Sequence, residues 1–504
     1  MSRQTHHHVI VVGAGFAGLG MAIQLRRHGI TDFVVLERAG EVGGTWRDNS
    51  YPGCACDVPA HLYSFSFELN PSWSRSFSGQ REIWDYLRHC TDSYGVRPHI
   101  RFHHELLEAA WDHGARRWRV RTGHGELTSD VLVTGTGALS DPAIPRIPGL
   151  PSFQGTVFHS AQWNHDYDLP GRRVAVVGTG ASAIQFVPQI QPMLTALTVF
   201  QRTPPWILPR TEREKTGLER TLYRAVPGLQ RLVRSGIYWG RELSVPAFTR
   251  NPRLLKVAEL MARAHLRRQV PDPALRAKLT PGYAIGCKRI LLSNDYLPAL
   301  TQPNVEVVAS GVAEIGPDWV RAADGTRREV DAIIFGTGFR VTALPVAARI
   351  RGRAGRSLAR VWSQGAQAHR GTTVTGFPNL FILVGPNTGL GHSSMIYMIE
   401  CQVAYTMDAL RYLRRTGATA VEVRPQAQAA YNETLDSQMN RTVWTTGGCT
   451  SWYLDTQGRN VTLWPTFTWR FRRATSHFLP DEYLVYQAVN EPVTGGEPGW
   501  RNPA

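Results

Sequence analysis

The sequence predicts an α/β fold built on two strand–turn–helix units of one kind, the second carrying a helical insertion. Three observations carry that expectation. The apolar run Val9 to Val12 leads into Gly13-Ala-Gly15-Phe16-Ala17-Gly18, and the run from Phe33 to Leu36 ends on Glu37, twenty-four residues after Gly13. The run Val174 to Val177 leads into Gly178-Thr179-Gly180-Ala181-Ser182-Ala183, and the run from Leu197 to Gln201 ends on Arg202, twenty-four residues after Gly178. Beyond the second turn, residues 205–280 form an arginine-rich stretch that reads as helix, for example over 251–269.

Each unit places backbone N–H groups and a helix dipole where a pyrophosphate can meet them. The residue ending the second strand then meets the ribose. A carboxylate accepts hydrogen bonds from free ribose hydroxyls, whereas an arginine suits a 2′-phosphate. The opposite charges of Glu37 and Arg202 therefore predict two Rossmann-like domains, holding FAD at the first turn and NADPH at the second. A flavin beside a nicotinamide implies hydride transfer. Ala183 replaces the third glycine, which mainly serves close helix–strand packing, so a methyl group is tolerable there.

Taken in order, residues 1–145 read as the first part of the FAD-binding domain. They include a helix from Gln80 to Tyr94, a hairpin around Trp111 to Val120, and a strand from Asp130 to Thr134 ending in Gly135-Thr-Gly137. Pro142 to Pro151 is Pro-rich and reads as a linker. Residues 152–328 read as the NADPH-binding domain, with the helical insertion at about 205–280. The strand Val330 to Phe335, followed by Gly336-Thr-Gly338, mirrors the first exit and returns the chain to the FAD-binding domain, 329–491. A buried strand from Phe377 to Val384 and a helix from Met395 to Arg411 follow, the helix N-terminus able to face the flavin. Residues 492–504 are Gly/Pro-rich and read as a disordered tail.

At 504 residues the chain exceeds a single core. No run of about eighteen apolar residues occurs, so no transmembrane span is expected. The polar residues 1–8 leave no room for a signal peptide, which reads as cytoplasmic. The formal charge of +16 rests on dispersed arginines, with only four lysines among 56 basic residues. Such dispersion points to a solvated surface rather than a nucleic-acid site, in a field that attracts NADPH and an anionic membrane surface. The six cysteines (54, 56, 90, 287, 401, 449) show no CxxC, and Cys54, Cys56 and His61 lack zinc spacing. They read as inert thiols in a reducing compartment, with no metal.

Between the two units stands Phe153-Gln-Gly155-Thr-Val-Phe-His159-Ser-Ala-Gln-Trp163-Asn164. It resembles the fingerprint of the type I Baeyer–Villiger monooxygenases, class B flavoprotein monooxygenases with the pattern FxGxxxHxxxW followed by Pro or Asp. The resemblance spans Gly13 to about Arg472, and Asn164 departs from the last position. The related N- and S-oxygenating flavin monooxygenases carry a smaller aromatic where Trp163 stands, and they are the nearest alternative. A non-catalytic NADPH-binding regulator is the remote one.

The resemblance implies roles residue by residue. Gly43-Gly44-Thr45-Trp46 looks like the loop that wraps the flavin, with Tyr63, Leu106 and Met395 as further FAD contacts. Ala55 stands where family members often have Arg. Gln185 and Thr203 fall among the NADPH contacts, Lys288 supports Arg202 at the 2′-phosphate, and Trp452 covers the nicotinamide ribose. His159 organises the interdomain linker. Arg289 and Asp57 are the catalytic residues. Reduced flavin and O2 give a C4a-peroxyflavin that converts a ketone to an ester or lactone. A permanently charged Arg289 beside it favours the anionic form, while Asp57 holds the guanidinium. Read structurally instead, Asp57 is a turn-capping carboxylate, Lys288-Arg289 a surface pair and His159 a satisfied histidine.

Overall fold

The computed structural model describes residues 5–342 and 344–487, so the expected tail at 492–504 lies outside the described residues. Two sheets organise it. The first has eight strands, in the order Ile350–Arg351, Leu106–Asp112, Arg117–Thr122, Gly125–Thr134, His6–Val12, Phe33–Leu36 and Ile100–Arg101, with Leu380–Ile382 also paired to Gly125–Thr134. Val9 to Val12 lie in parallel register between Phe33 to Leu36 and Val131 to Thr134. Covered on both faces, these strands read as continuous Val/Ile/Leu runs rather than alternating ones. Helices Phe16–Arg27 and Met395–Thr416 pack together on one face. The second helix runs five residues past Arg411 and stops at Gly417, whose φ of +69° is the left-handed cap glycine favours.

The second sheet is parallel throughout, in the order Val305–Val308, Ala196–Phe200, Arg173–Val177, Ala332–Phe335 and Thr156–His159. This corrects the expected boundary after residue 328. Ala332–Phe335 is the counterpart of Gly125–Thr134 and pairs inside the second sheet, so the chain leaves that sheet only at the glycine turn following Phe335. Its return runs beside the outward crossing. Ala143 donates to the Gly338 carbonyl at 2.9 Å and Arg340 to the Asp141 carbonyl at 3.0 Å.

The region 205–280 is helical, with main helices Gly217–Ala225, Pro227–Glu242 and Lys256–Gln269. Pro227 opens its helix at a position that needs no N–H partner. One face of that helix sits on the part of the molecule built around the first sheet. Arg234 donates to the carbonyls of His61 (2.7 Å) and Leu62 (3.2 Å), Tyr238 stacks on Tyr397, and Glu242 accepts from Thr468 N–H at 2.9 Å.

The expectation of six inert thiols fails at two positions. Cys287 and Cys449, 162 residues apart, form a disulfide, while Cys54, Cys56, Cys90 and Cys401 are free. Spacing could not reveal the pair. The fold brings it together by laying Gly447 directly against Cys287, where a side chain would collide with the Cys287 Sγ.

Candidate active site

The two glycine turns open into one cavity of about 1150 Å³. At the first turn, Gly13, Gly15, Phe16 and Ala17 line it, and the helix N-terminus carries no side-chain cap and no acidic residue in its first turn. Those N–H groups form a donor set that fits a pyrophosphate. Gly18 does not reach the cavity. A Cβ there would lie 1.8 Å from the Gly13 carbonyl oxygen, so its role is close packing. Glu37 is 4% exposed and lines the cavity with both oxygens engaged. They accept from Ala14 N–H (2.8 Å), Ala39 N–H (2.9 Å) and the Arg47 guanidinium (3.0 Å).

Gly44, Thr45 and Trp46 form the adjoining wall with Tyr63, Leu106 and Met395. Trp46 Nε1 donates to the Tyr63 hydroxyl at 3.1 Å, and Phe16 meets the Tyr63 ring edge-on at 5.4 Å. The loop after the strand Phe33–Leu36 is thereby fastened through Tyr63 to the start of the first helix.

On the second side, Gly178, Thr179, Gly180, Ala181, Ser182, Gln185, Arg202, Thr203 and Lys288 line the same cavity. Ala183 is fully buried beneath the turn. Gln185 joins the halves. Its carbonyl accepts from the Tyr51 hydroxyl at 3.0 Å, and its amide donates to the Ala55 carbonyl at 2.9 Å. Burial and the nearby charge of Arg202 pull the Lys288 ammonium below its ordinary pKa. Arg202 is exposed, and among the described residues neither cation forms an ion pair with a carboxylate. Two neighbouring cations without a carboxylate partner among the described residues fit an anionic group.

Between the two turns lies the pair Asp57 and Arg289. Arg289 Nε donates to Asp57 Oδ2 at 2.5 Å and Nη2 to Oδ1 at 2.7 Å, while Nη1 donates to the Leu390 carbonyl at 3.2 Å. This is the bidentate fork of the strong guanidinium–carboxylate pairs. Burial opposes both charges, yet Arg289 outweighs it and holds the Asp57 carboxyl below the ordinary range. Asp57 likewise raises the Arg289 guanidinium. Both side chains remain about 30% exposed and line the cavity.

The fingerprint residues stand behind this cavity rather than in it. Phe153 packs under the second sheet, and a Cβ at Gly155 would lie 2.3 Å from the Asp331 carbonyl oxygen. His159 is 1% exposed, its Nδ1 accepting from Ala161 N–H at 3.1 Å. Trp163 packs against Phe158 and Phe186 at 5.1 and 5.3 Å, and Phe186 adjoins Gln185 on the helix after the second turn. Asn164 turns to accept from Asp166 N–H at 3.1 Å, outside the core. Trp452 lines the cavity at 47% exposure, three residues beyond the disulfide that ties its loop to the Lys288-Arg289 segment.

Two arginines escaped the sequence reading. Arg47 braces Glu37, and its signal was its place beside Trp46 in the flavin-loop pattern. Arg241, on helix Pro227–Glu242, lies close enough to the Asp57–Arg289 pair that its charge acts on both. Its signal was the seven-residue spacing from Arg234, which puts both on the seated face.

Two nucleotide turns of opposite charge around one cavity define a dinucleotide-dependent oxidoreductase. Residues 10–216 match the family described as pyridine nucleotide-disulphide oxidoreductase. A Baeyer–Villiger monooxygenase of Streptomyces coelicolor is 58% identical over 486 residues, covering 96% of this chain and 93% of that protein. One from Pseudomonas aeruginosa is 50% identical over 480 residues, covering 95% and 91%. Among solved structures, a closed cyclohexanone monooxygenase matches with a TM-score of 0.86 at 27% identity, over 96% of this chain and all of that one. A steroid monooxygenase bound to NADP matches at 0.85 and 29%, with the same coverage. The chain belongs to the Baeyer–Villiger monooxygenases.

Proposed function

We propose that this enzyme uses FAD at the first turn and NADPH at the second to insert one atom of O2 beside a ketone carbonyl, giving an ester or lactone and water. The observation that carries the reading is the Asp57–Arg289 pair set in the cavity both turns share. Bound flavin, once reduced, supplies the activation of O2. The chain supplies position and charge. Arg289 keeps its proton throughout the working pH range and offers a fixed positive charge to an oxygen that becomes negative as the carbonyl is attacked. Asp57 fixes two of its nitrogens and leaves the guanidinium face open to the cavity. Arg202 and Lys288 take the 2′-phosphate and select NADPH over NADH.

The test is a steady-state comparison of a ketone panel with a sulfide panel, following NADPH consumption, O2 uptake and product mass. Ketone products carrying one added oxygen support the reading. Oxygenation confined to sulfides would overturn it in favour of heteroatom chemistry.

A further inference from the structure

Among the described residues eighteen large apolar side chains are exposed, and ten of them fall in the 44 residues from Leu218 to Met261. Scattered exposed leucines need no explanation, but a concentration of this kind marks a contact surface. These are the outer faces of the insertion helices. Helix Pro227–Glu242 spends Gln230, Arg234, Tyr238 and Glu242 on the body of the enzyme. Its opposite face shows Leu232 and Trp239, 68% and 56% exposed, and Leu243 just past its end is 82% exposed. Seven and four residues apart, these three form one stripe. Glycines 228, 236 and 240 leave open space around it.

Helix Lys256–Gln269 repeats the arrangement. Ala262, His265 and Leu266 are buried, while Val257, Leu260 and Met261 are 65%, 58% and 53% exposed at one-turn spacing. The short helix Val245–Thr249 packs on the turn Pro252–Leu255, and Leu254, 56% exposed, falls between the two stripes in the sequence.

Charge decides what fits there. Across 217–269 the fully exposed charged residues are all basic, among them Arg231, Arg250, Arg253, Lys256, Arg267 and Arg268. The three acids of that stretch turn to internal partners: Glu219 to Arg213, Glu242 to Thr468 and Glu259 to Arg263. A second copy docking through the same face would set two acid-free basic surfaces against each other. An anionic phospholipid surface instead takes the apolar side chains below its headgroups and the arginines among its phosphates. No described helix is long and apolar enough to cross a membrane, so the contact is peripheral.

We propose that the outer face of the 217–269 helices docks this enzyme on anionic lipid membranes. The proposal is independent of which ketone is oxidised. The test uses FAD-loaded full-length protein and vesicles of phosphatidylcholine, alone or mixed with phosphatidylglycerol, in a co-sedimentation assay. The protein should pellet with the mixed vesicles and stay in solution with phosphatidylcholine alone, and binding should weaken with added salt. The variant Leu232→Ser/Trp239→Ser/Leu243→Ser should lose at least tenfold in partitioning while keeping wild-type flavin content and NADPH turnover with a soluble ketone, which shows that it is folded. Arg250→Glu/Arg253→Glu should remove the preference for the anionic lipid. Failure of the active wild-type enzyme to bind mixed vesicles would overturn the proposal. So would undiminished binding by the folded triple variant, or a wild-type dimer that the triple variant converts to monomer, since the face would then belong to a second copy. If the triple variant misfolds, the double arginine variant decides the matter alone.

Discussion

The two glycine turns share a backbone and treat their charges in opposite ways. Gly13 and Gly178 both take positive φ, +99° and +110°, and both donate to the end of the neighbouring strand. Glu37 is nevertheless sunk in the fold and bonded to the turn it serves, whereas Arg202 stands exposed beside a Lys288 whose charge it disfavours. The third position differs as well. A Cβ at Gly18 would lie 1.8 Å from the Gly13 carbonyl oxygen, so that position admits no side chain, whereas Ala183 carries its methyl group beside Gly336. The first turn is therefore completed by its own carboxylate and suits a cofactor that stays. The second presents two cations and, among the described residues, no carboxylate paired with them.

The largest effect belongs to the residue between them. Arg289→Ala should keep flavin content and NADPH affinity, yet lose ketone oxygenation by at least about 10²–10³-fold, the cost of removing one preorganised donor elsewhere. Rapid-mixing absorbance with product analysis checks this, and near wild-type conversion would break the mechanism. Arg202→Ala acts on the open turn alone. A charge-assisted contact contributes roughly 1.5–3 kcal/mol, so NADPH should bind about ten- to a hundredfold more weakly, NADH hardly at all differently. Equal weakening of both nucleotides would make Arg202 structural. Glu37→Gln acts on the closed turn. Gln keeps the size but loses the ion pair with Arg47, so the purified protein should carry less flavin, with NADPH affinity intact. Full occupancy would remove Glu37 from the FAD site.

Local pattern made both turns, their strands and their helices legible, because a glycine turn between apolar runs has few other readings. Arg289, Lys288 and Asp57 were legible only through family resemblance. Nothing local to Gly286-Cys-Lys288-Arg289 says that it returns to the loop at Asp57, 232 positions earlier. The boundary after 328 missed for a related reason. Ala332–Phe335 is an apolar run that suits either sheet, and only its register with Val174 to Val177 assigns it. The Cys287–Cys449 pair is a tertiary fact without a sequence period, and helical spacing puts Arg241 on the seated face without saying that Asp57 lies there.

The smallest effect concerns His159, at the end of the edge strand Thr156–His159 of the second sheet. Burial pushes the His159 imidazole down to about 4 from an exposed value of 6.5, opposed by the nearby Gly338 backbone. A lowered folded value means that between pH 6.5 and about 4 the unfolded chain binds a proton that the buried native side chain refuses. Stability therefore falls as pH drops through that window, by at most about 1.4 kcal/mol per pH unit from this group. His61, lowered to about 4 by burial and Lys215, adds a slope of the same sign where the insertion meets the first half. His159→Gln should cost about 1 kcal/mol at pH 7 for the altered contact with Ala161 and should flatten the slope by up to one proton. Urea denaturation at pH 7, 6 and 5 reads both numbers. A variant with the wild-type slope would mean that His159 binds its proton equally well in the folded and unfolded chain, so that its burial contributes nothing to the pH dependence.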